Sequence, residues 1–301
     1  MRHLSSFRQP YSNPYLSFPY PIEIPEPSKA NRMKPLPKSS HQLTARNYRP
    51  RLEDTYHLSS DHIPEVAVVM PLYNPGSNWK ETFAEHASKL EAAIAGNAKL
   101  KYILVNDGSI VDPPHKELKE LTEFMNNVSY ISYEKNQGKG YALRKGLSVS
   151  DCRYTVMTDI DFPYACDNIT TIIALLLHGY EVVAGVRDKI YFNHLPFKRK
   201  VISKSFISCN KILFSLPIHD TQAGIKGLGP KGKAAFMETK INRFLADTEF
   251  MMLVKKQRLS FKSVPLRLRP GVVFSDFGSS TIIAECRNFF HLVKMKCKRN
   301  K

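Results

Sequence analysis

Hydrophobic positions along this chain switch period repeatedly, and between residues 64 and 158 the switches alternate. Glu65-Val66-Ala67-Val68-Val69-Met70 is a continuous apolar run of strand length that Pro71 stops. From Trp79 to Ala95 the residues Phe83, Ala87, Leu90 and Ile94 recur at helical spacing and predict one buried face. Tyr102 to Val105 reads as a second strand running into the turn-forming Asn106-Asp107-Gly108-Ser109. Lys116 to Met125 reads as a helix, Val128 to Ile131 as a strand, Gly140 to Val149 as a helix and Tyr154 to Thr158 as a fourth strand. Strands alternating with helices predict an α/β chain whose mostly parallel sheet has helices on both faces. Ligands of such sheets bind beyond the carboxyl ends of the strands. Three of those ends carry polar, turn-forming residues: Pro71 to Asn74, Asn106 to Ser109 and Asp159 to Asp161. They are expected to meet along one edge and form one site.

The two ends of the chain follow other patterns. Before residue 64 no period persists, and the segment is rich in Pro, Ser, Tyr and basic residues, as in Arg8-Gln9-Pro10-Tyr11. Residues 1–63 are expected to be disordered, or loosely draped over the domain. From Ser280 onwards Ile282, Cys286, Phe289, Phe290, Val293 and Cys297 form one stripe, with Arg287, His291, Lys294 and Lys298 opposite. That pattern suits a basic helix lying on an anionic membrane. It equally suits a helix docked on the domain with its basic face in solvent. The expected organisation is therefore a segment 1–63, an α/β domain 64–275 and a basic amphipathic helix or tail 276–301.

Charge narrows the partners. The 301 residues carry 44 Lys and Arg against 27 Asp and Glu, a formal net charge of +17, which points to an anionic partner. Nucleic acid fits poorly, because the basic residues gather at the tails and one helix without the interleaved aromatics of a stacking platform. Five cysteines stand without metal-like spacing and suit a reducing compartment. The N-terminus lacks the apolar core of a secretory signal, and the longest apolar run, Ile172 to Leu177, is too short to span a bilayer. A cytoplasmic protein, peripheral at the membrane face, is expected.

Candidate chemistry begins at Val156-Met157-Thr158-Asp159-Ile160-Asp161-Phe162. Side chains two apart on a strand point the same way, so Asp159 and Asp161 are expected to converge. Carboxylates that close repel and need a partner, and a hard cation such as Mg²⁺ or Mn²⁺ suits them. Asp107, at a strand end, suits hydrogen bonds from the edge of a uracil or guanine base; an Asx-turn that caps the next segment is the competing reading. Gly138-Lys139-Gly140 lets backbone approach a ligand and then opens a helix, which suits phosphate, although a plain loop shares the pattern.

Taken in order, Pro71-Leu72-Tyr73-Asn74, Val105-Asn106-Asp107-Gly108-Ser109, Asn136-Gln137-Gly138-Lys139-Gly140 and Asp159-Ile160-Asp161 resemble family 2 glycosyltransferases of the GT-A fold. Val183 to Arg187, Arg199 with Ser203, and Asp220-Thr221-Gln222-Ala223-Gly224-Ile225-Lys226 resemble the polyprenyl-phosphate branch of that family, which includes dolichyl-phosphate mannosyl- and glucosyltransferases. The resemblance covers roughly residues 64 to 270. It implies a Rossmann-like GT-A fold with Pro71, Tyr73 and Asn74 as the base and ribose wall and Asp107 on the base. Gly138 and Lys139 would then lie near phosphate or ribose, with Asp159 and Asp161 on a metal that bridges the nucleotide diphosphate. Pro75 stands where the family usually has an acidic residue, and Pro163 where mannosyl-type relatives add a Gln ligand.

On the acceptor side the resemblance implies an acidic pair, Asp247 and Glu249. For a hydroxyl acceptor such a carboxylate is the general base, whereas a phosphate arrives ionised and leaves Asp247 to orient the sugar or the acceptor. Arg187, Arg199 and Ser203 would form an acceptor-phosphate pocket, since guanidinium forks suit phosphate and positions 199 and 203 share a helix face. Gln222 would read a sugar hydroxyl. The implied activity is inverting, metal-dependent transfer of a hexose from a UDP- or GDP-sugar to a polyprenyl phosphate at the membrane surface, as in cell-envelope glycan synthesis. Two other readings share these residues: transfer to a glycan hydroxyl, and a silent domain that binds a nucleotide-sugar without turnover.

Overall fold

The computed structural model describes residues 63–111, 113–187, 191–192, 197–214, 216, 218, 220–270 and 272, together with 285, 288–289 and 292–294. The segment 1–62 lies outside the described residues. Four strands, β1 (Glu65–Leu72), β2 (Lys99–Asp107), β3 (Val128–Tyr133) and β4 (Tyr154–Met157), alternate with helices α1 (Trp79–Ile94), α2 (His115–Phe124) and α3 (Lys139–Val149). There follow α4 (Cys166–Leu177), β5 (Val182–Arg187), α5 (Phe197–Phe214), β6 (Lys226–Leu228), α6 (Pro230–Met237), α7 (Ala246–Gln257) and β7 (Phe261–Leu266).

The strands form one seven-stranded sheet in the order β3-β2-β1-β4-β6-β5-β7. All neighbours are parallel except β6, which runs antiparallel to both β4 and β5. The apolar run of β1 is continuous because both faces of the sheet are covered. Val66, Val68, Met70 and Leu72 enter the core under α1, α2 and α4, while Ala67 and Val69 enter the core under α3, α6 and α7. Each is at most 3% exposed, and a fully buried Val, Leu or Met contributes about 1.5–3 kcal/mol.

Two element ends differ from the sequence expectation. β1 continues through Pro71, which stays in register with Val105 although it brings no amide donor. β4 ends at Met157, and the chain then turns tightly, with the Phe162 N–H donating to the Asp159 carbonyl at 3.1 Å. Asp159 and Asp161 are therefore brought together by a turn, and the strand-alternation argument for their convergence does not apply. Phe162 pays for that turn with φ = 44° while its ring is buried.

Of the two readings of the C-terminal stripe, docking holds for its described part. The Phe289 ring packs against Phe206 and Phe214 of α5 at 5.7 and 5.8 Å, Leu292 is fully buried, and Lys294 is exposed. Ile282, Cys286, Phe290, Cys297, Arg287, His291 and Lys298 lie outside the described residues. Among the described residues no helix is long and apolar enough to cross a membrane.

Candidate active site

The carboxyl ends of β1, β2 and β4 open on a common cleft of about 260 Å³. Pro71, Leu72 and Tyr73 line it from β1, Asp107 from β2, and Asp159 from the turn after β4. Asn136, Gly138 and Lys139 close one side, and Arg243 and Phe244 another. Tyr73 is 45% exposed, so its ring is available as a wall.

Three residues expected to touch the nucleotide also build the cleft. The Asp107 carboxylate accepts from Tyr133 Oη (2.8 Å), Asn136 Nδ2 (2.9 Å) and the N–H groups of Gln137 (2.7 Å) and Gly138 (2.9 Å). Four donors fill its acceptor positions, so it ties the β2 end to the loop before α3 and does not offer a free edge to a base. Its charge, with burial as the larger cause, raises the Tyr133 hydroxyl well above the ordinary tyrosine range. Asn74 is likewise engaged through its oxygen: Oδ1 accepts from the N–H groups of Ile110 (2.9 Å) and Val111 (3.0 Å), which pins the loop after β2. Gly138 gives its N–H to Asp107, and at φ = 99° a β-carbon there would stand 2.6 Å from the Asn242 carbonyl. That glycine makes room for the 242–243 backbone, and no phosphate is needed to explain it. The α3 N-terminus is closed in the same way, by the Tyr141 N–H donating to Asn242 O at 3.1 Å.

Charge concentrates around Lys139 and Asp159, at one side of the cleft. Lys139 Nζ is ion-paired with Asp159 Oδ1, and burial of this ammonium is outweighed by Asp159, Asp247 and Asp161, which together raise its pKa. Asp161 is exposed by area, yet enough protein surrounds it that burial and then the Asp159 charge push its carboxyl up. A β-carbon on Gly224 would collide with Asp159 Oδ2, so a side chain there would push the carboxylate aside. The Gly224 N–H donates to Tyr164 Oη at 2.9 Å, and Arg269 donates to the Asp161 and Phe162 carbonyls, which fixes both loops. Asp247, in the first turn of α7, pairs with Lys226 of β6 at 2.8 Å; the lysine side chain is 2% exposed and also donates to Ala223 O. Next to it Gln222 Nε2 donates to Thr248 Oγ1 at 3.1 Å. The structure thus brings Lys139, Asp159, Asp161 and Asp247 into one cluster, with Gln222 joined to α7 one residue past Asp247.

Two other expected residues have different work. Arg187 is held by Asp220: its backbone N–H, Nε and Nη2 all donate to that carboxylate, at 2.9, 2.8 and 2.6 Å, in a pair nearly closed to solvent. Burial disfavours the guanidinium, but Asp220 more than compensates and its pKa is raised. Glu249 anchors the turn before α7, its Oε2 accepting from the Lys240 and Ile241 N–H groups, both at 2.8 Å. Ser203 lies half-exposed on α5 and does not line the cleft, and the Arg199 side chain lies outside the described residues. Sequence reasoning passed over Lys226 as a site residue. The signal was present, since a lysine inside Ile225-Lys226-Gly227-Leu228 must bury its charge beside a partner.

Among the described residues no group of three or more His, Cys, Asp or Glu could hold a metal ion by itself. The pair Asp159 and Asp161 still fits a hard divalent cation, because Mg²⁺-like ions commonly take one or two carboxylates and complete their shell with water and substrate phosphates.

Residues 67–236, more than half of the chain, match the family described as Glycosyl transferase family 2. The dolichyl-phosphate beta-glucosyltransferase of Dictyostelium discoideum is 24% identical over 236 residues, covering 73% of this chain and 72% of that protein. Mannosyl-3-phosphoglycerate synthase from Rubrobacter xylanophilus shares the fold at 12% identity, with a TM-score of 0.54 over 78% of this chain and 75% of that one. Glucosyl-3-phosphoglycerate synthase from Mycobacterium tuberculosis, solved with Mn²⁺, UDP and glucosyl-3-phosphoglycerate, matches at 14% identity and TM-score 0.49 over 74% of this chain and 76% of that one. The chain is a family 2 glycosyltransferase of the GT-A fold, an enzyme that takes its sugar from a nucleotide-sugar donor.

Proposed function

We propose that the enzyme moves a hexose, with inversion, from a UDP- or GDP-hexose to a polyprenyl phosphate. The observation that carries this acceptor is the buried pair of Asp247 with Lys226 at 2.8 Å. A hydroxyl acceptor has to hand its proton to a base, and the carboxylate placed for that task is already bonded to an ammonium. A phosphate acceptor brings its own negative oxygen and needs no base. The likeness to a dolichyl-phosphate glucosyltransferase points the same way.

In this reading Pro71 and Tyr73 wall the base, while Asp107 holds the loop behind it. Asp159 and Asp161 would hold a divalent cation, which when bound neutralises charge on the leaving diphosphate. Gln222, anchored through Nε2 to Thr248, turns its other end to a sugar hydroxyl. The acceptor oxygen attacks the anomeric carbon from the face opposite the diphosphate, the bond from that carbon to the diphosphate oxygen breaks, and the nucleoside diphosphate leaves. Lys226 holds Asp247 at the sugar so that the carboxylate orients it. Arg199 and Ser203, on one face of α5, remain the proposed contacts of the acceptor phosphate.

The test is nucleoside diphosphate release from a panel of UDP- and GDP-sugars, with Mn²⁺ or Mg²⁺, with and without a short polyprenyl phosphate. Release that requires one donor and the lipid is the expected result. Donor-dependent release that only a glycan stimulates would replace the lipid by a hydroxyl acceptor. Asp161→Ala should abolish metal-dependent release and leave the melting temperature within a few degrees of wild type; full activity would remove it as a ligand.

A further inference from the structure

Three carboxylates, Asp159, Asp161 and Asp247, act on a single flexible ammonium, that of Lys139. The Lys139 side chain is 17% exposed and its Nζ is bonded to Asp159 Oδ1. The second oxygen of Asp159 faces Gly224, where the lack of a β-carbon leaves room for it. The other ammonium nearby, Lys226, is committed to Asp247 at 2.8 Å and to the Ala223 carbonyl at 2.9 Å. A cation approaching Asp159 therefore meets a carboxylate whose Oδ1 Lys139 already holds. A lysine ammonium is a compact single charge on a four-carbon tether, able to satisfy a carboxylate and also to leave it.

We infer that Lys139 competes with the divalent cation for Asp159 and is drawn off by the diphosphate of the donor, so that metal and nucleotide enter together. This rests on the metal reading above. A cation arriving alone has to strip Lys139 from Asp159, and an ammonium in this half-closed cleft then needs another anion. A diphosphate supplies that anion. Metal and nucleotide binding are thereby linked through one side chain, and linkage of this kind works equally in both directions. The device also restrains the enzyme from loading metal when no donor is present.

The experiment measures Mn²⁺ binding to the full chain by the electron paramagnetic resonance of free Mn²⁺, with no nucleotide, with UDP and with GDP. Without nucleotide, K139M should bind Mn²⁺ about tenfold tighter than wild type, toward the low end of the usual range for coupled sites. K139R keeps the competing charge and should stay close to wild type. Whichever of UDP and GDP the protein binds should tighten Mn²⁺ more in wild type than in K139M. K139Q removes the charge while keeping a hydrogen-bond donor, and serves in place of K139M if that variant melts early. Equal or weaker Mn²⁺ binding by the uncharged variants without nucleotide would overturn the competition. If wild type, K139M and Asp161→Asn all fail to bind Mn²⁺ under every condition, the metal reading itself falls, a result distinct from competition failing at a working metal site.

Discussion

Asp247 and Glu249 stand two residues apart in the first turn of α7, where the helix dipole favours both, yet one meets a lysine and the other two backbone amides. Glu249 only accepts hydrogen bonds, and both arrive at one oxygen, which an amide reproduces. Glu249→Gln should therefore retain turnover while costing some stability, because the amide oxygen still accepts both N–H bonds but without the carboxylate's charge. Glu249→Ala should lower stability by about 1–3 kcal/mol, the cost of buried N–H groups left without acceptors. Activity assays of both variants beside urea melts separate the two effects. None of this was legible from residue type. Asp107, Asn74 and Arg187 carry the right groups to touch a nucleotide or a phosphate, and a sequence does not count the donors and acceptors that folding will aim at them. Lys226 is the opposite case, where burial in an apolar run forced a partner and the partner turned out to be Asp247.

Elements with a full period were readable, and elements without one were not. β1 to β4 and α1 to α3 emerge within a few residues of their expected ends, because two-sided burial gives continuous apolar strands and amphipathic helices give a repeat. β6 has three residues, too few for any period, and its reversed direction between β4 and β5 depends on partners some 70 and 45 residues away. The end of β5 depends on a distant partner as well: Arg187 is fixed by Asp220, across the stretch that includes α5. Asp220→Ala would leave a buried guanidinium unpaired, and should cost about 3–5 kcal/mol in urea unfolding. If the same variant lost lipid-phosphate transfer with no loss of stability, Arg187 would regain a place among the acceptor contacts.

Across the whole molecule the net charge of +17 favours anionic ligands, and the docked C-terminal segment carries one buried acid. Glu285 accepts from the Leu245 N–H at 3.2 Å, and burial, ahead of opposing hydrogen bonds, raises its carboxyl above the ordinary 4.5. A raised acid contributes its stability below its unfolded value and loses it as pH climbs through the folded value. The share of stability that Glu285 supplies should therefore fall as pH rises through its folded value, and the slope of melting temperature against pH should be less negative or more positive in Glu285→Gln, which keeps an acceptor for Leu245. An unchanged slope would place the pH response elsewhere. The donor side of the cleft has a different consequence. Asp107 with its four donors and Asn74 with its two amides hold the strand ends and loops in place before any ligand arrives. A nucleotide entering there surrenders its own freedom but orders little of the wall, so more of its contact energy survives as affinity, and the entropy of binding carries mainly the cost of the guest.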